Sequence, residues 1–187
     1  PKQAIRHMHV LESHYDIVWV EEPARRWDYR GLRRVSRAVR AAVATGENLD
    51  DISEFTPLIA HEAVDVVQVG LRAGGITGAL QVASLAYAFD LPVAVMNSPG
   101  NIAAHLAAAV PNHLMIEVLD AGRDAVMEVD SHLEDGWVVL GDAPGLGIRF
   151  DEDRLRSAEV ERPTPTAQAS PFGRRRGAGL YIGPPGE

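Results

Sequence analysis

The sequence contains no cysteine, which excludes disulfides, thiolate metal sites and a cysteine nucleophile. It has no run approaching the roughly 18 apolar residues that a membrane span needs. It has no excess of positive charge either. The net charge is −8, so no broad electrostatic affinity for nucleic acid is implied. The short run Arg174-Arg175-Arg176 reads most simply as part of a solvated tail. No glycine-rich loop with G-x-G-x-x-G spacing follows an apolar run, and Gly74-Gly75 lacks that spacing, so a nucleotide fold has little support. No H-x-x-x-H or H-E-x-x-H spacing points to zinc. No signal-peptide or lipidation pattern is visible, and a cytoplasmic protein is expected.

What is present suits a globular enzyme domain. The chain has 187 residues, 46% of them hydrophobic, enough for one domain with a real core. It opens on Pro1 rather than Met, and a helical pattern over Lys2 to Ser13 begins at once. The expectation is a chain that is the later part of a longer protein.

Short apolar runs then alternate with amphipathic stretches. Strands are expected at 16–20, 42–45, 64–69, 92–96 and 114–118. Helices are expected at 29–42, 50–63, 76–89 and 101–109. In the first of these helices, Leu32, Val35, Val39 and Ala42 share a face at helical spacing, and Asp28 is placed to cap it. Asp51 with Glu54 resembles a capping box. Strict alternation of strand and helix predicts an α/β protein with a parallel sheet and helices outside it. Beyond Val118 the pattern changes. Residues 126–129 and 137–140 read as the arms of a hairpin around Asp135-Gly136, followed by the turn Pro144-Gly145-Leu146-Gly147. Residues from about Glu159 onward have no core pattern and read as extended or disordered alone. The expected division is 1–150 as the folded domain and 151–187 as a C-terminal tail.

Three expected strands carry glutamates at or near their ends: Glu21-Glu22, Glu47 and Glu117. In a parallel barrel, reactive side chains sit at the C-terminal mouth, and alternation turns only one of Glu21 and Glu22 inward. Carboxylates gathered there repel unless a cation neutralises them, and Mg²⁺ is a hard, oxygen-seeking ion that suits such a set. The plainer reading, surface glutamates paired with Arg25, Arg26 or Arg34, stays open from spacing alone.

A resemblance favours the first reading. Trp19-Val20-Glu21-Glu22-Pro23 resembles the W-[IV]-E-E-P strand of mandelate racemase-like enzymes in the enolase superfamily, and Gly46-Glu47-Asn48 resembles their G-E-N strand. Glu47 follows Glu21 by 26 residues, which suits one β-α-β step. Gly74-Gly75-Ile76-Thr77, Ala104-His105-Leu106 and Pro144-Gly145-Leu146-Gly147 resemble further segments of the same family, in order. The resemblance implies the last five strands, about strands 4–8, of a modified (β/α)₇β TIM-type barrel with a C-terminal extension. It implies Mg²⁺ as cofactor, with Glu21 and Glu47 as the second and third metal ligands. Glu117 becomes the eighth-strand carboxyl that hydrogen-bonds the substrate. Asn48 is placed beside the metal and, with Met96 and Asn97, is implied to bind the substrate. The tail is expected to pack on a capping domain that precedes the barrel, and a homo-oligomer is expected of the full-length protein.

The implied chemistry is abstraction of the proton α to a carboxylate through an enediolate stabilised by Mg²⁺. Loss of water from it makes a dehydratase of acid sugars. Reprotonation makes a racemase or epimerase, and a cycloisomerase is the further alternative. Two departures bear on this. The family's His near the end of strand seven, with its Asp on strand six, is replaced by Val95-Met96-Asn97 and Gln68-Val69-Gly70. The sixth-strand Lys of the muconate-lactonizing branch is missing too, and Arg72 is a poor base because it stays protonated. A two-base racemase is therefore disfavoured, and a one-base dehydration survives. The opposite-face base and the first metal ligand are expected upstream of Pro1, so the chain alone is expected to be inactive. A catalytically dead relative that binds a ligand or serves as an assembly subunit is the rival of another class. An open half-barrel exposes strand edges and is expected to aggregate or pair when alone.

The histidines read as structural. His105 is expected to satisfy a backbone or cap contact, and His7, His9, His14 and His61 to lie exposed on outer helices. His113 is weighed as a residue of the barrel mouth.

Overall fold

The computed structural model describes residues 1–96, 102–118 and 126–161, without side-chain placement for 158–161. Asn97 falls outside that range. The elements alternate as the sequence predicts. Helix α1 (Lys2–Glu12) leads into β1 (Trp19–Glu21), α2 (Tyr29–Ser36), β2 (Ala42–Thr45), α3 (Ile52–Ala60), β3 (Val66–Val69), α4 (Gly75–Tyr87), β4 (Val93–Val95), α5 (Ile102–Ala109) and β5 (His113–Ile116). The five strands form one parallel sheet in sequential order, β1-β2-β3-β4-β5.

The helices cover one face of this sheet. Val43, Val67, Val69, Val93 and Val95 point to that side and join Leu32, Val35, Phe55, Leu58, Val82 and Leu106 in a single buried cluster. Packing β-branched strand residues against helices supplies most of the apolar burial, and with it most of the stability. Asp28 caps α2 through the Gly31 amide (2.9 Å), and Asp51 caps α3 through the Ser53 amide (2.8 Å). Glu54 reaches back to the amide of Asp50, at 2.8 Å, rather than to that of Asp51, so the capping box is displaced by one residue.

The structure corrects two expectations about elements. Helix α2 ends at Ser36, not at residue 42. The Val35 carbonyl accepts from the amides of both Ala38 and Val39, which tightens the chain into a turn, and the Ala42 amide is then drawn into the ladder by the Val18 carbonyl. The hairpin is also paired differently. Strands β7 (His132–Glu134) and β8 (Trp137–Val139) are its two arms, whereas β6 (Met127–Val129) pairs antiparallel with β9 (Ile148–Phe150). Asp135 and Gly136 both have positive φ, 49° and 82°. That is the geometry of a tight two-residue turn, and it joins the strands immediately flanking it. Helix α6 (Glu152–Glu161) follows directly, its N-terminus capped by Asp151 through the Arg154 amide (3.0 Å). Among the described residues no helix is long and apolar enough to cross a membrane.

Candidate active site

The second face of the sheet turns inward, and register assigns its residues. Trp19 pairs with Ala42, Glu21 with Ala44 and Ala44 with Val66, while Gln68 pairs with Ala94 and Ala94 with Met115. Side chains alternate along each strand, so Met96 and Glu117 follow Ala94 and Met115 on the same side. Ala44, Val66 and Ala94, with Trp19 and Ala42, form a second, smaller cluster on it. The inner face therefore carries a smaller apolar cluster than the helix side, and its polar members crowd toward the C-terminal ends of the strands.

Three inward carboxylates meet there. Glu21 closes β1. Glu117 lies just past β5, held in the ladder by its amide on the Val95 carbonyl at 3.0 Å. Glu47 stands two residues beyond β2, after Gly46, whose φ of 130° lies in the region that favours glycine. A Cβ at Gly46 would collide with the Gln68 carbonyl oxygen and press on the Phe55 ring at 2.9 Å, so glycine is what lets the chain turn Glu47 over the end of the sheet. The Glu47 carboxyl titrates above the ordinary glutamate range, first because burial penalises its charge and next because Glu21 and Glu117 repel it. A hydrogen bond to the Glu21 carboxyl and repulsion from Glu22 act in the same direction.

Glu22 is turned away from this group. Its φ of 43° redirects the chain after β1, and its carboxylate accepts from the Asn48 side-chain amide (3.2 Å), with the Thr45 hydroxyl at 3.5 Å. Asn48 is thus spent on bracing the loop beside Glu21. Met96 is buried on the inner face, its thioether sulfur 3.6 Å from the Gln68 side-chain amide nitrogen.

Among the described residues, no arginine pairs with Glu21, Glu47 or Glu117. Arg33 and Arg37 bind Glu62, and Arg72 binds Asp50. Arg25 and Arg26 lie over the Trp27 ring at 5.5 and 5.8 Å. The surface-ion-pair reading of these glutamates is therefore overturned. Among the described residues no group of three acidic or histidine side chains is arranged so that it could hold a metal ion by itself. Glu21 and Glu47 do offer adjacent hard oxygen donors whose mutual repulsion a divalent cation would relieve, and in that chemistry the pair fits Mg²⁺.

The histidines lie elsewhere. His105 meets the Leu146 carbonyl (3.2 Å), His61 the Pro57 carbonyl (2.8 Å) and His9 the Ala38 carbonyl (2.7 Å). His113 is at the start of β5. That is the end of the sheet opposite the carboxylates, which corrects its suggested place at the mouth. It borders a groove of about 550 Å³ between α5, β5 and β8. Sequence reading missed Gln68, a fully buried polar residue on the inner face. The signal was a single amide in the run Val66-Val67-Gln68-Val69, at the alternation that faces inward.

The chain is similar to known proteins in sequence and in fold. A D-galactonate dehydratase family member of Oceanicola granulosus is 33% identical over 162 residues, covering 81% of this chain and 40% of that protein. A D-xylonate dehydratase of Haloferax volcanii is 33% identical over 159 residues, covering 80% of this chain and 38% of the relative. The chain thus spans about two fifths of the length of the curated relatives it matches. In structure it superposes on an enolase from Bradyrhizobium, solved with magnesium and mandelic acid, with a TM-score of 0.76 and 31% identity over 84% of this chain and 43% of that one. The parallel sheet with helices on one face thus matches the later part of a barrel enzyme. The model of the enolase C-terminal domain-like family matches residues 1–154, and the chain belongs to that family.

Proposed function

We propose that this chain forms the later part of the barrel of a Mg²⁺-dependent lyase that dehydrates acid sugars. The observation that carries the reading is the meeting of Glu21, Glu47 and Glu117 from three strands with no cationic side chain among the described residues to neutralise them. Relatives that are acid sugar dehydratases support the same reaction class.

In this reading Glu21 and Glu47 would hold Mg²⁺ together with groups of the longer protein, and the ion would supply positive charge where removal of the α-proton builds up negative charge. Glu117, on the far side of the same cluster, hydrogen-bonds the substrate carboxylate when it carries a proton. Glu22 and Asn48 fix the loop that carries Glu21, and Met96 and Asn97 border the substrate. The base that takes the proton comes from outside this chain, since none of its described histidines lies at the mouth. One-sided proton chemistry of that kind favours dehydration over racemisation.

The test is product analysis on the full-length protein with Mg²⁺ and a panel of acid sugars. A keto acid, lost on chelation and lost in Glu47→Gln, is expected. Inversion of the substrate without loss of water would make the protein a racemase or epimerase. Absence of any turnover, together with no Mg²⁺ binding by calorimetry, would leave a non-catalytic barrel.

A further inference from the structure

Gln68 is a fully buried side chain on the inner face whose amide oxygen meets no donor among the described residues. Its nitrogen lies 3.6 Å from the Met96 sulfur, and sulfur is a weak acceptor. Buried amide oxygens are rarely left without a donor, because desolvation without a compensating hydrogen bond is costly. Such an orphan on a face that already carries three carboxylates marks a place where a donor belongs.

By register Gln68 lies two residues beyond the position level with Glu21, and Glu117 lies two residues beyond the position level with Gln68. Glu21 shares register with Ala44 and, through it, with Val66. Gln68, two residues beyond Val66, shares register with Ala94 and Met115. Glu117 follows Met115 by two residues. From Glu21 to Gln68 and from Gln68 to Glu117, each step moves two residues toward the C-terminal ends for two strands crossed. A barrel of eight strands with a shear of about 8 climbs about one residue per strand, and alternate strands supply each interior layer. Two strands on from Glu21, the residue in its layer is Gln68. Two strands further it is Glu117. Gln68 completes an arc whose other members are charged.

We infer that Gln68 is a substrate-contact residue, whose amide oxygen accepts a hydrogen bond from a hydroxyl of the bound acid, and that it selects polyhydroxylated carboxylates over plain ones. The inference rests on the proposed reading of the carboxylate cluster. A neutral acceptor suits this place. A further carboxylate would add to the repulsion on Glu47, whereas an amide oxygen binds a hydroxyl without charge. Access is through Met96, an unbranched and adaptable side chain that covers the amide and can swing from it. The next inward position, Gly70, carries no side chain, so Gln68 is the last inward polar group of β3.

The experiment compares D-galactonate with hexanoate, a six-carbon carboxylate without hydroxyls. Binding is measured by calorimetry on the Mg²⁺-loaded full-length protein, native and Gln68→Met, with melting temperature recorded alongside. Gln68→Met keeps the volume and removes the acceptor. The expected result is D-galactonate binding weakened about fivefold, the worth of one neutral hydrogen bond, with hexanoate unchanged or slightly tighter. Gln68→Glu is expected to weaken both acids. Equal effects of Gln68→Met on both acids, or a change in melting temperature alone, would make Gln68 a packing residue and overturn the inference. If the native protein binds Mg²⁺ but neither acid, the proposed function falls together with the inference. Native selectivity that survives Gln68→Met sinks the inference alone.

Discussion

The two faces of the same five strands follow opposite rules. The face under the helices is β-branched and continuous, with Val43, Val67, Val69, Val93 and Val95 locked against α2 to α5. The inner face has Ala42, Ala44 and Ala94 at its base and Glu21, Gln68, Met96 and Glu117 toward its C-terminal end. The first maximises apolar burial. The second gives that up for closely spaced carboxylates that raise the titration of Glu47. Stability and chemistry are thus separated by one residue of strand alternation, and a substitution's effect is set by the face it falls on.

The largest expected effect tests the helix-side face. Phe55 is fully buried in α3 and belongs to the main cluster. Phe55→Ala removes a ring from a close-packed interior and is expected to cost about 3–5 kcal/mol, read by urea unfolding. On the inner face, Ala44→Gly is expected to cost only about 1 kcal/mol, from lost packing and a looser backbone. Similar losses at both positions would mean that the two faces share the work, and the comparison would fail.

Gly46 is where the faces meet. Gly46→Ala sets a Cβ against the Gln68 carbonyl oxygen and the Phe55 ring, in a backbone conformation that L side chains rarely adopt. The expected loss is about 2 kcal/mol or more, with Mg²⁺ affinity falling alongside because Glu47 rides on this turn. Calorimetric Mg²⁺ titration separates the two effects. Intact affinity in a destabilised variant would show that Glu47 does not depend on the glycine.

How much of this was legible in the sequence follows the same division. The helix-side face announced itself through periodicity, since apolar runs alternating with amphipathic stretches admit few other arrangements. The glutamates were visible as strand-end residues; alternation allowed only one of Glu21 and Glu22 to face inward, and the resemblance named Glu21. Gln68 was not legible as a site residue, because its position depends on how register accumulates across three strands. The end of α2 and the pairing of β6 with β9 were missed for a related reason. Val39 and Ala42 continue the helical spacing of Leu32 and Val35, and only the competing demand of β2 for Ala42 ends the helix. The motif Asp135-Gly136 announced a turn without saying which neighbouring strands it would join.

The smallest expected effect concerns pH, and here the two ends of the sheet oppose each other. Glu47 at the mouth is held above its ordinary range by burial and neighbouring carboxylates, whereas His113 at the opposite end is held below its own by burial. The native state then binds more protons at Glu47 than the unfolded chain does, and fewer at His113. By linkage, the contribution of Glu47 is complete below the ordinary glutamate value of 4.5 and is lost as pH rises through the raised native value. The contribution of His113 is complete above 6.5 and is lost as pH falls through the lowered native value. Melting temperatures of Glu47→Gln and His113→Gln, taken without Mg²⁺ from pH 4.5 to 7.5, separate the two. Relative to native, Glu47→Gln is expected to gain as pH rises, and His113→Gln to gain as pH falls. Saturating Mg²⁺ is expected to stabilise the native protein most at the high end of that range, where Glu47 is ionised, and to do little for Glu47→Gln. If Glu47→Gln instead loses stability as pH rises, a cationic group must sit beside that carboxylate, and the case for a metal at the mouth collapses.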